Sequence, residues 1–466
     1  MTEPALLSLA EQSAAIRDGA LSARELTEAY LARIARLDDT LHAFNSLRAE
    51  TALADAAEAD RDIAAGHWRG PLHGLTIGIK DMIDVVGMPT TAQAVHRRAA
   101  IATSDAPVVA SLRAAGAVII GKQAMTEYAV GGTQLDHAWP PARNPWNLHL
   151  DALSSSSGSS VSVAAGLCAG SVGTETAGSI RDPAAWNGVA GLCPTVGLTS
   201  RCGVLPLSPT MDTIGPIAWT VEDCALLLTG MISTDPDDIS RPGFRAPNLA
   251  DLGSSIASLR IGVVRDYFEN DPNYDPAVLA AMDHSLEVLT QLGARLGTAH
   301  VGDFELYGAI ARAISWPEEY DAHRDELEQY PDRFTAVSRS RFLDGLTFSA
   351  ADYLRARRQR HAAIVDFNAT MTDFDVLVLP TVKKPAQPIG FEFTELGNVE
   401  LSLSRPFNLL GAPALALCNG FTADGLPLSI QVVGRAFDEA MVLRVGHALE
   451  TALGLRARRP PIATSA

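Results

Sequence analysis

The chain has 466 residues, of which 47% are hydrophobic and 20% charged, and its formal net charge is −17. This is the composition of a globular protein with enough apolar material for a large core. The acidic balance, without any dense run of Lys or Arg, argues against nucleic-acid binding by the chain acting alone. The first residues lack the pattern of a signal peptide, and no apolar run is long enough to span a bilayer.

The chain contains an odd number of cysteines, and none of the five has CxxC spacing to another: Cys168, Cys193, Cys202, Cys224 and Cys418. Such a set is typical of reduced thiols in the cytosol. We therefore expect a cytoplasmic protein that binds neither membrane nor nucleic acid. The eleven histidines include no H-x-H or H-x-x-x-H pair, so no metal site is expected.

Helices and strands alternate along the first part of the chain. Ser22 and Glu25 form a capping box, in which a hydroxyl and a carboxylate bind the free N–H groups at a helix start. The periodicity predicts helices over residues 22–37, 50–65 and 107–115, and strands over residues 75–79 and 117–120. This alternation is typical of an α/β protein.

The alternation continues to the end of the chain, with helices predicted over residues 161–167 and 438–452, and strands over residues 171–174, 259–264, 375–379, 414–418 and 428–433. The last two strands flank Asp424-Gly425, a hairpin turn signal, so the sheet is predicted to be mixed. The predicted fold class is α/β: a single α/β/α domain over residues 1–466 with a large twisted mixed sheet covered by helices. Its parts are a core at about 70–230, a mainly helical region at about 235–370, and C-terminal sheet and helix elements at about 371–455.

Residues 151–160 read DALSSSSGSS and allow two interpretations. Six serines and one glycine in ten residues are typical of a flexible linker, because such a segment buries little apolar surface. The predicted helix that follows places the same serines at a helix start, where they could line an active site. Composition alone favours the linker.

Lys80 ends a predicted buried strand and also allows two interpretations. An ammonium group is costly to bury, so burial would lower the pKa of Lys80 towards neutrality and make it a base. Alternatively, Lys80 extends to solvent or pairs with Asp81 or Asp84. Taken alone, the two interpretations are equally supported.

Residues 173–181 read GTETAGSIR and combine small residues with a serine. Their backbone N–H groups could converge on a developing oxyanion while the hydroxyl of Ser179 acts as a nucleophile. A phosphate-binding loop is excluded, because no Gly-Lys-Ser/Thr follows and Glu175 would repel phosphate. No G-x-S-x-G motif occurs, which argues against an α/β-hydrolase.

Together these segments resemble the amidase signature family of Ser-Ser-Lys amide hydrolases. LSSSSGS at 153–159 corresponds to the family's Gly-Gly-Ser-Ser-Gly-Gly-Ser, GTETAGSIR to its Gly-Thr-Asp-Thr-Gly-Gly-Ser-Ile-Arg, and GIKDMIDVVGMPTTA contains its lysine. The flanking RNPWN and GFTADGLPLSIQVVGRAFDE also agree. The resemblance covers residues 5–230 strongly and residues 370–455 moderately.

The resemblance implies roles for particular residues. Lys80, Ser155 and Ser179 would be catalytic, with a cis peptide bond before Ser155. The oxyanion would be held by the backbone N–H groups of Thr176, Ala177, Gly178 and Ser179. Substrate would be bound near Gly131, Gly132, Thr133 and Ser154.

The sequence departs from the family pattern at several positions. Ala152, Leu153, Ser154 and Ser157 stand where the family usually has Pro, Gly, Gly and Gly, and Ala177 replaces another glycine. A side chain at a position that needs a positive φ adds on the order of 1 kcal/mol of strain. Glu175 replaces the usual Asp and is expected to brace the loop. Asp182 is expected to pair with a neighbouring cation rather than contact substrate, and His137 to be an ordinary loop histidine.

The resemblance implies a hydrolase of C–N bonds in linear amides that forms an acyl-enzyme on Ser179, without metal or organic cofactor. Three alternatives stay open: a carbamate or urea-derivative hydrolase, the catalytic subunit of a glutamine-dependent tRNA amidotransferase, and an inactive scaffold. The expected partner is a small-molecule amide or carbamate. The oligomeric state is left open, with a homodimer as one possibility because dimers are frequent among such enzymes.

Overall fold

The structure is a computed structural model. It describes residues 3–135, 137–232, 247–269, 271, 273–390 and 402–464. Part of the predicted helical region, residues 235–246, lies outside this range. Among the described helices, none has both the length and the apolar character needed to cross a membrane.

Eleven strands of the described chain form one sheet. They are β1 (Phe44–Leu47), β2 (Thr76–Lys80), β3 (Val118–Gln123), β4 (Gly170–Glu175), β5 (Ala190–Cys193), β6 (Thr213–Ala218), β7 (Arg260–Val263), β8 (Arg295–Thr298), β9 (Val376–Pro380), β10 (Ala414–Phe421) and β11 (Pro427–Val433). Their order is β1-β3-β2-β4-β6-β5-β10-β11-β9-β7-β8. Strand β2 pairs in parallel with β3 and β4, and β7 with β8 and β9, whereas the other pairs are antiparallel.

Fourteen α-helices lie within the described residues. They are α1 (Leu9–Arg17), α2 (Ala23–Leu41), α3 (Ala49–Ala64), α4 (Pro107–Ala114), α5 (Ser157–Ala164), α6 (Arg181–Asn187), α7 (Val221–Met231), α8 (Pro276–Gln291), α9 (Phe304–Gln329), α10 (Ala336–Asp344), α11 (Ala350–Thr370), α12 (Arg405–Leu410), α13 (Glu439–Leu453) and α14 (Pro461–Thr464). The capping box of Ser22 and Glu25 begins α2, with both of its hydrogen bonds formed.

The predicted α/β fold with a mixed sheet is confirmed. Each predicted helix and strand has a counterpart, although α5 begins at Ser157 rather than at residue 161. Strands β1, β5, β6 and β8 were not predicted. Strands β5 and β6 contain Gly or Pro, which weaken the strand signal, and β1 and β8 are short edge strands whose residues stay partly exposed. The single-domain organisation stays a prediction.

Strand β2 is buried along its whole length and ends at Lys80. It lies between β3 and β4, both parallel to it. Because the carboxyl ends of parallel strands meet at the same edge of a sheet, the end of β2 lies beside the end of β4. This topology brings Lys80 next to the segment that leads to Ser179.

A buried amide network fixes the position of β2. The side chain of Gln123 donates to Ser162 Oγ at 2.6 Å and Ser171 Oγ at 2.8 Å, and accepts from Ser159 Oγ at 2.9 Å. It therefore ties β3 to α5 and β4 by crossing β2 at Gly78. A Cβ atom at Gly78 would lie only 2.0 Å from Gln123 Nε2.

We expect Gly78→Ala to lower the free energy of unfolding by about 1–3 kcal/mol, because the added methyl group overpacks this network. The measurement is urea unfolding. Gly253→Ala is the matched control, since Gly253 lies in an exposed turn with nothing within 4 Å of an added Cβ. Equal stability of the two variants would contradict the proposed role of the network.

Leu153 is the one departure from the glycine pattern that adopts a positive φ, at 60°. Its side chain is only 6% exposed and packs in a small apolar cluster with Ala185, Trp186, Val382 and Ala386. The left-handed backbone costs roughly 1–2 kcal/mol, whereas loss of a buried Leu side chain costs roughly 2–5 kcal/mol. Burial therefore outweighs strain at this position.

We expect Leu153→Gly to destabilise the protein by roughly 2 kcal/mol in spite of the strain it relieves. Leu153→Ala retains the strain while losing most of the contacts, so it should be less stable than Leu153→Gly by about 1 kcal/mol. Urea-unfolding midpoints of the three proteins test both values. A glycine variant more stable than the natural protein would show that strain dominates.

Candidate active site

Lys80 is fully buried, at 0% exposure. Its Nζ donates to Ser155 Oγ at 2.7 Å, to Thr174 Oγ1 at 2.8 Å and to the Thr174 carbonyl oxygen at 3.3 Å. Burial lowers the pKa of Lys80 from 10.5 to about 7, although the more distant carboxylates of Asp212 and Glu175 partly oppose this shift. A large fraction of this amine is therefore neutral near pH 7.

Lys122 in the neighbouring strand β3 provides an internal comparison. It is also fully buried, but its Nζ forms an ion pair with Asp81 Oδ1 at 3.0 Å. Lys80 forms no ion pair with any described residue. The interpretation in which Lys80 pairs with Asp81 is therefore wrong, because Asp81 is bound to Lys122, and the interpretation in which it extends to solvent is excluded by burial.

The serine stretch lies inside the protein, as an active-site lining would. Residues 155–160 are all buried, which contradicts the linker interpretation. The peptide bond between Ser154 and Ser155 is cis, as the resemblance implies. Ser154 Oγ donates to the Gly131 carbonyl at 2.8 Å, and the Ser156 N–H donates to the Ser179 carbonyl at 3.1 Å. The stretch is thereby held directly against the Ser179 turn.

The Ser179 turn connects β4 to α6. Gly178 has φ +114°, which only glycine adopts readily, and its carbonyl accepts the Asp182 N–H at 2.8 Å to begin the helix. The backbone N–H groups of residues 176–179 donate no hydrogen bond to any described residue. Ser155 Oγ and Ser179 Oγ are likewise not hydrogen-bonded to each other here, and Ser155 Oγ is bound by Lys80.

Glu175 braces this turn through a buried ion pair. One carboxylate oxygen accepts the N–H groups of Ile180 and Arg181, both at 2.9 Å, and the other accepts Arg181 Nε at 2.8 Å and Asn408 Nδ2 at 2.9 Å. Burial alone would raise the pKa of Glu175, but the Arg181 guanidinium outweighs it and holds this pKa below its ordinary value. The carboxylate stays charged, and the turn is rigid.

Ser179 is partly exposed to a cavity that encloses about 840 Å³, its open mouth included. Of the predicted site residues, the cavity is lined by Gly131, Ser154, Thr176, Ala177 and Ser179. Lys80, Ser155 and Gly178 lie behind this lining. Gly132 and Thr133 do not line the cavity, and neither does His137, whose Nε2 lies 2.7 Å from the Gln93 carbonyl oxygen.

Asp182 corrects a further expectation. Its carboxylate forms no ion pair with any described residue; it lines the cavity and accepts a hydrogen bond from Ser404 Oγ at 2.8 Å. Burial raises the pKa of Asp182 to about 7. No described cation pairs with Asp182, because the guanidinium of the adjacent Arg181 is bound by Glu175, Gln431 and Asn408.

Sequence reasoning missed several residues around the site. Thr174 Oγ1 contacts Lys80 from within the quoted GTET segment. Asp212 accepts from Thr176 Oγ1 at 2.5 Å and from the Leu207 N–H at 2.8 Å. The cavity lining also includes Glu319, Arg341 and Arg405, which come from distant segments without a recognisable motif. In the described part of the chain, no cluster of His, Cys, Asp and Glu could hold a metal ion.

Several known proteins resemble this chain over most of its length. A family model described as Amidase matches residues 25–443. The chain is 37% identical to the putative amidase AmiD of Mycobacterium tuberculosis over 98% of this chain and 96% of that protein. It is 36% identical to one component of the glutamyl-tRNA(Gln) amidotransferase of Chloroflexus aggregans, its A-type subunit, over 99% and 100% of the two chains.

A solved structure extends the likeness to three dimensions. The native peptide amidase of Stenotrophomonas maltophilia superposes with a TM-score of 0.84 and 30% identity, covering 97% of this chain and 98% of that one. The family match spans most of the chain, and the curated relatives match over nearly its full length. The chain therefore belongs to the amidase family, whose signature residues its sequence carries.

Proposed function

We propose that this protein hydrolyses the C–N bond of amides through an acyl-enzyme on Ser179, with Ser155 and Lys80 as the proton relay. The observation that carries the proposal is the buried Lys80 amine, 2.7 Å from Ser155 Oγ and without an ion-pair partner among the described residues. A structural lysine would be expected to pair with a carboxylate, as Lys122 does with Asp81.

Acylation begins when Ser179 Oγ attacks the substrate carbonyl carbon. Its proton passes to Ser155 Oγ, and the Ser155 proton passes to the neutral amine of Lys80 along their existing contact. The first of these transfers requires the two serine hydroxyls to approach each other when substrate binds, since catalytic hydrogen bonds often tighten only in the complex. The unpaired N–H groups of Thr176, Ala177, Gly178 and Ser179 are available to stabilise the oxyanion.

Collapse of the tetrahedral intermediate breaks the C–N bond. Ser155 gives its proton to the departing nitrogen and recovers one from Lys80, which becomes neutral again. Water then attacks the acyl-enzyme, and its proton follows the same relay. The acid is released when Ser179 Oγ regains a proton from Ser155. Ser155 then recovers its proton from Lys80, so the relay ends the cycle in its starting protonation state.

Several finer points stay proposals. Linear amides are the proposed substrates, with carbamates and urea derivatives as alternatives that the same chemistry would cleave. The cytoplasmic location and the homodimer are predictions. The amidotransferase relative is one subunit of its enzyme, and a glutaminase role for the present chain would be recognised by turnover of glutamine.

The first test is the loss of activity in single variants. We expect Ser179→Ala to reduce kcat/KM by more than about 10³-fold, and Ser155→Ala and Lys80→Met by about 10²–10⁴-fold, because each removes one member of the relay. The measurement is ammonia or amine release from a panel of aliphatic and aryl amides, carbamates, ureas and glutamine. Full activity of Lys80→Met at neutral pH would contradict the mechanism.

Labelling by a sulfonyl fluoride provides a test that does not depend on the choice of substrate. We expect covalent modification at Ser179 in the natural protein and none in Ser179→Ala, because only an activated hydroxyl reacts at a useful rate. Mass spectrometry of the intact chain measures the adduct. No labelling of the natural protein would favour the inactive scaffold.

The pH dependence follows from Lys80. The neutral amine is the active form, and its pKa lies at about 7. We therefore expect kcat/KM to be constant well above pH 7 and to decrease about tenfold for each pH unit below pH 7. Initial rates between pH 5 and 9 measure this profile. A rate that does not change across this range would contradict a lysine base.

Two carboxyl groups titrate close to the same range, with pKa values of about 7 for Asp182 and about 6 for Asp212, both raised by burial. Two variants distinguish the titration of these carboxyl groups from the titration of Lys80. Asp182→Asn should retain the acid limb. Asp212→Asn should shift its midpoint to lower pH, because the negative charge of Asp212 raises the pKa of Lys80. If either carboxyl group caused the limb, its variant would abolish it.

A further inference from the structure

Arg405 is a charged residue of the cavity wall that forms neither a hydrogen bond nor an ion pair with any described residue. It begins α12 and lines the same cavity as Ser179. A charged group withdrawn from water normally has a bound counterion or several hydrogen-bond acceptors. Arg405 therefore has unused capacity to bind an anion inside the cavity.

The other charges of this wall do not neutralise Arg405. Arg341 is bound to Glu319 by two hydrogen bonds, at 2.7 and 3.2 Å, and its guanidinium lies 4.2 Å from the Trp316 ring. The negative charge of Glu319 is therefore neutralised mainly by Arg341 rather than by Arg405. Arg312 on α9 adds a further positive charge to the surroundings of Arg405.

Burial, together with Arg341 and Arg312, lowers the pKa of Arg405 to about 10. Arg405 consequently stays charged at neutral pH. The other acidic group that faces it is Asp182, whose carboxyl group is bound by Ser404 and is close to half protonated near pH 7. Among the described residues, the charged groups around Arg405 therefore sum to a net positive charge.

A short series of contacts connects this wall to the nucleophile. The Asp182 carboxylate packs against Gly178, where an added Cβ atom would lie 2.1 Å from Asp182 Oδ2. Ser404, which immediately precedes Arg405, donates to the same carboxylate at 2.8 Å. Arg405 therefore follows Ser404, which binds a carboxylate that contacts the Ser179 turn. Because Arg405 and Ser179 line the same cavity, a small molecule could contact both of them.

We propose that Arg405 binds a carboxylate of the substrate, so that the preferred substrates are amides that carry a carboxylate group a few bonds from the scissile C–N bond. The planar guanidinium matches a carboxylate with two parallel hydrogen bonds. This inference rests on the proposed amide hydrolysis and adds the substrate class. Arg405 acts as a specificity-determining residue, since it binds the part of the substrate that does not react.

The test compares matched pairs of small amides. The anionic probes are malonamate, succinamate and glutaramate, and the neutral controls are malonamide, succinamide and glutaramide, which have nearly the same shape. We expect the natural protein to favour the best anionic probe over its neutral control by at least about tenfold in kcat/KM, mainly through KM. Equal or better turnover of the neutral diamides would overturn the inference.

Arg405→Met should lower kcat/KM for the best anionic probe by roughly 30- to 100-fold while changing the neutral control by less than about threefold. Arg405→Lys should recover part of the loss, because it restores the charge without the planar fork. Arg312→Met is the matched control: it removes a nearby charge that does not line the cavity, and should change both substrates by less than about threefold. An equal loss on both substrates in Arg405→Met would indicate a structural role and overturn the inference.

A binding measurement covers the case in which none of these amides is turned over quickly. Succinate and glutarate should protect Ser179 of the natural protein from the sulfonyl fluoride, and this protection should be lost in Arg405→Met, whose unprotected labelling shows that its site is folded. Absence of protection in the natural protein would overturn the inference. If the protein hydrolyses neutral amides without preferring the anionic probes, only the inference about Arg405 is refuted. If it shows neither turnover nor labelling, the proposed hydrolase function is refuted as well.

Discussion

The enclosure of one amine that has no counterion among the described residues is the constraint on which the site depends. Lys80 is surrounded by β2, β4 and the serine stretch, and its three hydrogen-bond partners are two hydroxyls and a carbonyl oxygen. A pKa lowered from 10.5 to about 7 corresponds to about 5 kcal/mol of preference for the neutral form. A carboxylate in direct contact would cancel much of this preference, and the one that follows Lys80 in sequence is bound to Lys122.

The rest of the site holds this amine in the position that the proposed proton relay requires. The parallel pairing of β2 with β4 sets Lys80 beside Thr174, and the Gln123 network holds β2, β3, β4 and α5 together. Glu175 and Arg181 form a buried ion pair that fixes the turn after β4. This ion pair neutralises the charges behind Ser179, whereas Arg405 on the cavity side forms no ion pair with any described residue and is the proposed anion-binding group.

The departures from the glycine-rich family pattern have different physical meanings. Leu153 alone takes a left-handed backbone, and its side chain packs in an apolar cluster that offsets the strain. Ala177 replaces a family glycine and has no positive φ, so its methyl group is accommodated in the Ser179 turn. Asp182 lines the cavity, and its carboxylate also packs against Gly178 of the Ser179 turn.

The sequence by itself determined the fold class, most of the elements and the residues of the proposed relay, because hydrophobic periodicity and a long motif are local properties of the chain. The short edge strands β1 and β8 escaped detection because their residues stay partly exposed and show little apolar signal. Tertiary structure alone decided that Asp81 binds Lys122 rather than Lys80. It also decided that Glu175 forms the ion pair with Arg181, whereas Asp182 lines the cavity. It also brought Arg405 into the lining of the cavity, since ion pairing and cavity lining depend on which distant segments meet and not on what is adjacent in the chain.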